Sequence, residues 1–228
     1  MGTDARLLVL LAAALAPALF GAPSRGAEIR YDFQGYVQPS PGGPSLPPSA
    51  AGGSLTPLST FSGYFSYVQE NATLLAGGGQ SAYYEFTPAG SQVLVTNGIE
   101  TFATSSNFSM NLSTYFFIWD VQASTALTVP LGPNDFMVDI QFNATPFPPG
   151  FPDDPIPAVP GANATLAEFQ DVIIQLEVPS PFGSSVPFSI PLLLTSLQGH
   201  VVPEVSVAAA TCWALVAVGL LRLRRRRT

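Results

Sequence analysis

The stretch FMVDIQFN (136–143) alternates apolar and polar residues without a break. Phe136, Val138, Ile140 and Phe142 fall on one face of an extended chain, and Met137, Asp139, Gln141 and Asn143 on the other. That is the period of a half-buried β-strand, and it recurs along the chain. Further candidates are EIRYDFQGYV (28–37), TFSGYFSYV (60–68), SAYYEFT (81–87), STYFFIWDVQA (113–123), DVIIQLEV (171–178) and LTSLQGHVV (194–202). QVLVT (92–96) and IETFAT (99–104) read as a hairpin around Asn97-Gly98, a pair that accepts the positive φ angles of a type I′ turn.

Helix-forming residues are sparse, and 23 prolines punctuate the sequence. The expected fold is therefore all-β: a single antiparallel β-sandwich or jelly-roll-like domain over residues 27–201. The proline- and glycine-rich stretches 38–57 and 144–164 are expected to be long surface loops or edge-blocking excursions. Within 163–170, Thr165 and Glu168 have the spacing of a capping box over one helical turn.

Charge divides the chain sharply. Of the 8 basic residues, all arginine, five lie at the extreme C-terminus: Arg222, Arg224, Arg225, Arg226 and Arg227. Residues 28–203 hold thirteen acids against the single base Arg30, a formal charge of 12 negative. A nucleic-acid partner is excluded on this ground, because neutralising phosphates requires basic side chains.

Both ends read as targeting segments. Arg6 precedes the apolar run 7–20, and the small and turn-forming GAPSRGA follows, the layout of a secretory signal peptide over residues 1–26. The mature chain is expected to start between Arg25 and Glu28. Near the other end, residues 205–221 carry no charge. As a helix they would extend about 26 Å, close to the lower limit for a transmembrane span. The following arginines would rest at the cytoplasmic face, leaving the acidic body outside the cytoplasm.

Val202-Pro203-Glu204, the apolar span directly after it and the arginine cluster in the tail (222–228) together resemble the C-terminal sorting signal of the PEP-CTERM family of exported bacterial proteins. This resemblance implies that Val202, Pro203 and Glu204 form a motif recognised and cut by an exosortase, an integral-membrane cysteine protease. It also implies delivery to the cell surface or extracellular matrix, in association with exopolysaccharide or biofilm. Val205 stands where family members usually have a second proline, which bears on processing efficiency. In physical terms, proline biases its preceding residue toward extended backbone, so Val202-Pro203 would present a straight segment to a protease. The order of YDFQGYV, FSGYFSYV, LAEFQDVIIQLEV and LTSLQGHVVPEV also resembles the body commonly joined to this signal. That second likeness implies a β-sandwich and supplies no activity.

Residue chemistry points away from an enzyme. One histidine, His200, and one cysteine, Cys212, leave no ordinary Cys/His zinc site and no intramolecular disulfide. Cys212 falls inside the apolar span, where it reads as a small apolar residue. No Gly-x-Ser-x-Gly, phosphate loop or dinucleotide fingerprint is present, although a Ser-His-Asp site assembled in space stays open. No cofactor is expected.

Asp153-Asp154 and Asp135 with Asp139 are the carboxylate pairs to weigh for calcium, against a plainer role as solvated turn residues. Trp119, Phe116, Phe117, Tyr83 and Tyr84 are the aromatics to weigh as a sugar-stacking platform, against a place in the core. Two alternative functions therefore stay open: a secreted carbohydrate-binding or glycan-acting protein, and a permanently anchored single-span receptor-like protein. The five Asn-x-Ser/Thr triplets at Asn71, Asn107, Asn111, Asn143 and Asn163 suit the latter.

Overall fold

The computed structural model describes residues 26–39, 45–78, 81–88, 90–113, 118–125, 130–144 and 159–202. Gly26–Val202 forms one compact unit. Its elements are β1 (Glu28–Val37), β2 (Thr60–Val68), β3 (Ala72–Gly78), β4 (Ser81–Phe86), β5 (Gln92–Thr96) and β6 (Thr101–Thr104). These are followed by β7 (Phe108–Ser113), β8 (Ile118–Ser124), β9 (Met137–Asn143), β10 (Asp171–Val178) and β11 (Phe188–Val202). Single 3-10 turns lie at Gln69–Asn71 and Leu166–Glu168. No helix among the described residues is long and apolar enough to cross a membrane.

All eleven strands join one antiparallel sheet in the order β3-β4-β7-β8-β9-β10-β11-β1-β2-β5-β6. This corrects the expected sandwich of two sheets: hydrogen bonding is continuous, and the two packed layers are parts of one curled sheet. Aromatic contacts reveal the curl. Trp119 in β8 and Phe65 in β2 stand fourth and ninth in the order, yet their rings lie 5.6 Å apart. On a flat sheet, five strand steps would separate them by about 24 Å.

The inward face carries the core. Trp119 stacks on Phe142 at 4.4 Å, and Tyr31 stacks on Phe65 at 5.1 Å and meets Trp119 edge-on at 5.2 Å. Ring pairs in stacked or edge-on geometry hold each other beyond their area burial by about 0.5–1.5 kcal/mol. Gly63, which lies between aromatics in FSGYFSYV, leaves room for the Phe33 ring opposite it: a Cβ there would stand 2.5 Å from Phe33 Cε2.

One end of the curl is closed by a return segment. Tyr31 Oη donates to the Gly161 carbonyl, and Tyr67 Oη donates to the Pro160 carbonyl at 2.9 Å. Gln69 Nε2 donates to the carbonyls of Val159 and Pro160 at 2.8 and 2.9 Å. Burial pushes the Tyr31 phenol up to about 12 and that of Tyr67 well above its ordinary value, so both remain neutral donors. A Cβ at Gly199 would approach the Ala162 carbonyl at 2.5 Å, so the segment docks closely only over glycine.

The long proline-rich stretches therefore differ from free surface loops where they are described. Ala164 is buried, and Val159 and Ala162 pack against the core. Leu55 is buried too, and its neighbours Gly52 and Ser54 donate backbone N–H groups to the Glu100 carboxylate at 3.1 Å. Proline spares these segments unpaired N–H groups while specific carbonyls find donors.

Three local readings change or hold. Positive φ in the β5–β6 loop belongs to Gly98 (φ 85), whereas Asn97 acts through its side chain: Oδ1 accepts from Ile99 and Glu100 N–H at 3.0 and 2.9 Å. The four-residue loop so formed replaces the expected two-residue type I′ turn. At the Leu166–Glu168 turn, the Glu168 carboxylate accepts from the Thr165 backbone N–H at 2.5 Å and from its hydroxyl at 3.2 Å, the pairing expected from their spacing. Of the strand expected over 113–123, Ser113 belongs to β7 and 118–123 to β8, while 114–117 lie outside the described residues.

Candidate functional site

Residues opposite each other in antiparallel strands share a face. Asp32 lies between Tyr64 of β2 and Gln198 of β11, Gln34 between Ser62 and Ser196, and Arg30 between Ser66 and His200. The buried residues of β1 alternate with these, so Arg30, Asp32 and Gln34 face outward. β5 extends the rows with Leu94 beside Tyr64 and Thr96 beside Ser62. These rows floor a cavity of about 750 Å³. Leu94 lines one side of it, and Thr165, bridged to Gln198 beyond β11, lines the other.

The groove centres on the only base of the acidic body. Arg30 Nε donates to Asp32 Oδ1 at 2.9 Å, and its second nitrogen lies 2.8 Å from the same oxygen. The guanidinium carbon stands 3.7 Å above the Tyr64 ring centre, a cation–π contact, while Tyr64 Oη donates to Gln92 Oε1 at 2.9 Å. His200 Nδ1 lies 3.4 Å from Asp32 Oδ2. Asp32 thus has the Arg30 guanidinium on one oxygen and the His200 imidazole near the other. The groove offers one aromatic ring, a compensated charge pair and several amide and hydroxyl groups, an array suited to binding a neutral polar molecule by many hydrogen bonds.

Two members of a Ser-His-Asp arrangement meet here. Among the described residues no hydrogen bond joins His200 to a serine hydroxyl, and Ser66, in the same cross-strand row, is buried two strands away.

A second polar cluster lies on the outward face of β8, β9 and β10. Asp120 stands opposite Gln141, and Asp139 opposite Gln122, so the two carboxylates are diagonal neighbours. Burial pushes Asp120 up to about 8, helped by a hydrogen bond with Asp139 and by the Asp139 charge. The bond from Gln122 Nε2 to Asp120 Oδ2, at 3.2 Å, works in the opposite direction. Glu177 on β10 is raised as well, by burial and then by the charge of Asp139. Asp120 is thereby pushed toward its protonated form, and Oδ1 of Asp120 and of Asp139 are buried without a hydrogen-bond partner among the described residues.

The carboxylates weighed for calcium take other partners. Asp135 accepts from Gly132 N–H at 2.8 Å and from the Thr125 hydroxyl at 3.2 Å, shaping its own turn, while Asp139 belongs to the pair with Asp120. Among the described residues no group of three or more His, Cys, Asp or Glu side chains is arranged to hold a metal ion. Asp153 and Asp154 lie outside the described residues.

The aromatics weighed as a sugar platform divide among different surroundings. Trp119 is wholly buried and Tyr84 partly so, leaving Tyr83 exposed, while Phe116 and Phe117 lie outside the described residues. Of the sorting motif, Val202 is the last residue of β11, opposite Glu28 at the start of β1. Pro203, Glu204, Cys212, the apolar span, Arg222, Arg224, Arg225, Arg226, Arg227 and residues 1–25 lie outside the described residues.

The ring that does line the groove, Tyr64, was missed because its surroundings come from β1 and β11, which are remote in sequence from each other. The available signal was Arg30, the sole base in a strand of alternating pattern. Comparison of the chain with known protein families, with curated proteins and with solved structures returns no match.

Proposed function

We propose that this is an exported protein of the cell surface or extracellular matrix, acting as a structural or binding component rather than an enzyme. In this reading residues 1–26 are a removed export signal. Residues 205–221 cross the inner membrane as a transient helical anchor, and Arg222, Arg224, Arg225, Arg226 and Arg227 hold its cytoplasmic end. Val202, Pro203 and Glu204 form the motif for an exosortase-type membrane protease. The observation that carries the reading is the compact unit Gly26–Val202, whose last strand, β11, includes Val202, with Pro203-Glu204 next in the sequence. The pairing of Glu28 with Val202 supports it further, since both outlying segments attach at the same end of two neighbouring strands.

Intact mass spectrometry of protein recovered from the native host's surface and medium, beside a Glu204→Ala variant, tests this. The reading predicts loss of the C-terminal segment beyond Val202 in the wild type and its retention in the variant. An arginine-bearing terminus intact in both would contradict it and favour a permanently anchored protein.

The groove favours a companion reading, in which the exported domain contacts neutral saccharides of an exopolysaccharide matrix. Hydroxyl-rich rings match a floor of Asp, Gln, Ser and Tyr side chains, and sugar faces pack on aromatic rings. Tyr64→Ala is expected to abolish saturable polysaccharide retention in affinity electrophoresis. Retention unchanged by that substitution rules the groove out.

A further inference from the structure

The sheet has two edges, β3 and β6, and they are built differently. β6 is four residues long with every second residue buried. β3 is seven residues long, ATLLAGG, and every residue after Ala72 is exposed. Leu74 is 42% exposed and Leu75 55%, with Tyr83 of the adjoining β4 exposed at 39%. An edge strand presents unpaired N–H and C=O groups, and soluble proteins ordinarily blunt such edges with charge, proline or short length. β3 has neither charge nor proline, and the uncharged stretch runs from Asn71 through Tyr84. Its one protective feature is the bulge between Leu74 and Ala76.

We propose that β3 is a self-association edge, through which two copies of this chain pair antiparallel, β3 to β3, about a two-fold axis at Leu75. Charge selects this occupant. The body carries a formal charge of 12 negative, so two copies repel wherever their carboxylates face one another. The stretch 71–84 is a place where they approach without that penalty, and an uncharged strand offers a basic partner no electrostatic gain. Length selects the pairing: β3 against β3 aligns up to seven residues, with the bulge of each copy at the centre, while β3 against β6 of a second copy aligns at most four. Centred on Leu75, the pair sets Leu74 opposite Ala76, Thr73 opposite Gly77 and Ala72 opposite Gly78. Leucine therefore meets leucine only on the axis, with small residues facing the larger ones beside it. A two-fold contact closes on itself, giving a dimer rather than a filament.

Sedimentation equilibrium of the full-length protein in detergent, over a concentration series, tests the proposal. The wild type is expected to be a dimer, and Leu75→Lys, which places two like charges on the axis, a monomer with unchanged circular dichroism. Ile99→Lys, at an 81% exposed site in the β5–β6 loop, is expected to remain a dimer. A monomeric wild type overturns the proposal, as does a dimer that survives Leu75→Lys, since the apolar C-terminal segment or another surface would then be responsible. Should Leu75→Lys fail to fold, amide exchange in the wild type decides: amides of 73–77 slow at high concentration and fast on dilution support the pairing, and fast exchange at both overturns it.

Discussion

The outward face of the sheet carries two carboxylate-centred rows that solve the same problem in opposite ways. On β1, Asp32 is compensated by the Arg30 guanidinium and faced by His200. On β8 and β9, Asp120 and Asp139 have no base beside them among the described residues, and burial pushes Asp120 toward its protonated form instead. One flank is compensated by a cation; the other stays negative, and burial together with the Asp139 charge pushes one of its acids toward the protonated form. In a body with a single base, the position of that base decides which face can meet a ligand without electrostatic cost. The acid flank is a pH-dependent burden on the fold; the Arg30 flank is a groove.

Trp119→Ala gives the largest expected effect and asks whether the flanks are one structure at all. The indole packs against Tyr31 and Phe65 on the Arg30 side and against Phe142 on the acid side. Truncation should cost about 3–5 kcal/mol, as large aromatic deletions in cores do. Thermal unfolding should stay a single transition in near-ultraviolet and far-ultraviolet circular dichroism alike; two separated transitions would break the picture of a shared core.

A smaller effect separates the flanks. Asp120 has a folded pKa of about 8 against an ordinary 3.8. The stability associated with its proton is complete below the ordinary value and is lost as pH rises through the folded one, so the wild type should weaken between these limits. Asp120→Asn supplies a permanent donor toward Asp139. It should stabilise the protein at pH 8 by on the order of 2 kcal/mol, the scale of an uncompensated buried polar group. At pH 4 the effect should vanish in chemical denaturation, and equal effects at both pH values would sink the account of Asp120 as a buried, raised acid.

The smallest change makes the flanks alike. Arg30→Met leaves Asp32 without its main partner and removes the contact with Tyr64. Both groups are partly solvated, so the loss should be about 1 kcal/mol or less and should shrink in high salt. A salt-independent loss would mean that Arg30 acts through packing of its stem rather than through its charge.

Much of this architecture was legible in the residues. β1, β2 and β10 have the bounds their alternating patterns imply, because one face of each is buried along nearly its whole length. β3 was invisible: ATLLAGG has no alternation and ends in glycines, and it is a strand because β4 supplies a ladder. β7 was missed for another reason, since FSMNLS sits among serines and asparagines that read as a turn although Phe108, Met110 and Leu112 alternate inward. Two sheets rather than one curled sheet is a natural misreading, because alternation reports which side is buried and says nothing of which strands bond. The groove was out of reach for the same reason. It depends on register between β1, β2 and β11, and no local pattern around Tyr64 encodes the approach of Arg30, Gln198 and His200.

The unequal roles of the two flanks are tested most directly by mapping backbone amide shifts by nuclear magnetic resonance while titrating a neutral oligosaccharide from the host's matrix. The account predicts saturable shifts at Arg30, Asp32, Tyr64 and Gln198, with Asp120, Asp139 and Gln141 unmoved. Shifts confined to the acid flank, or no saturable shifts on either, would contradict it.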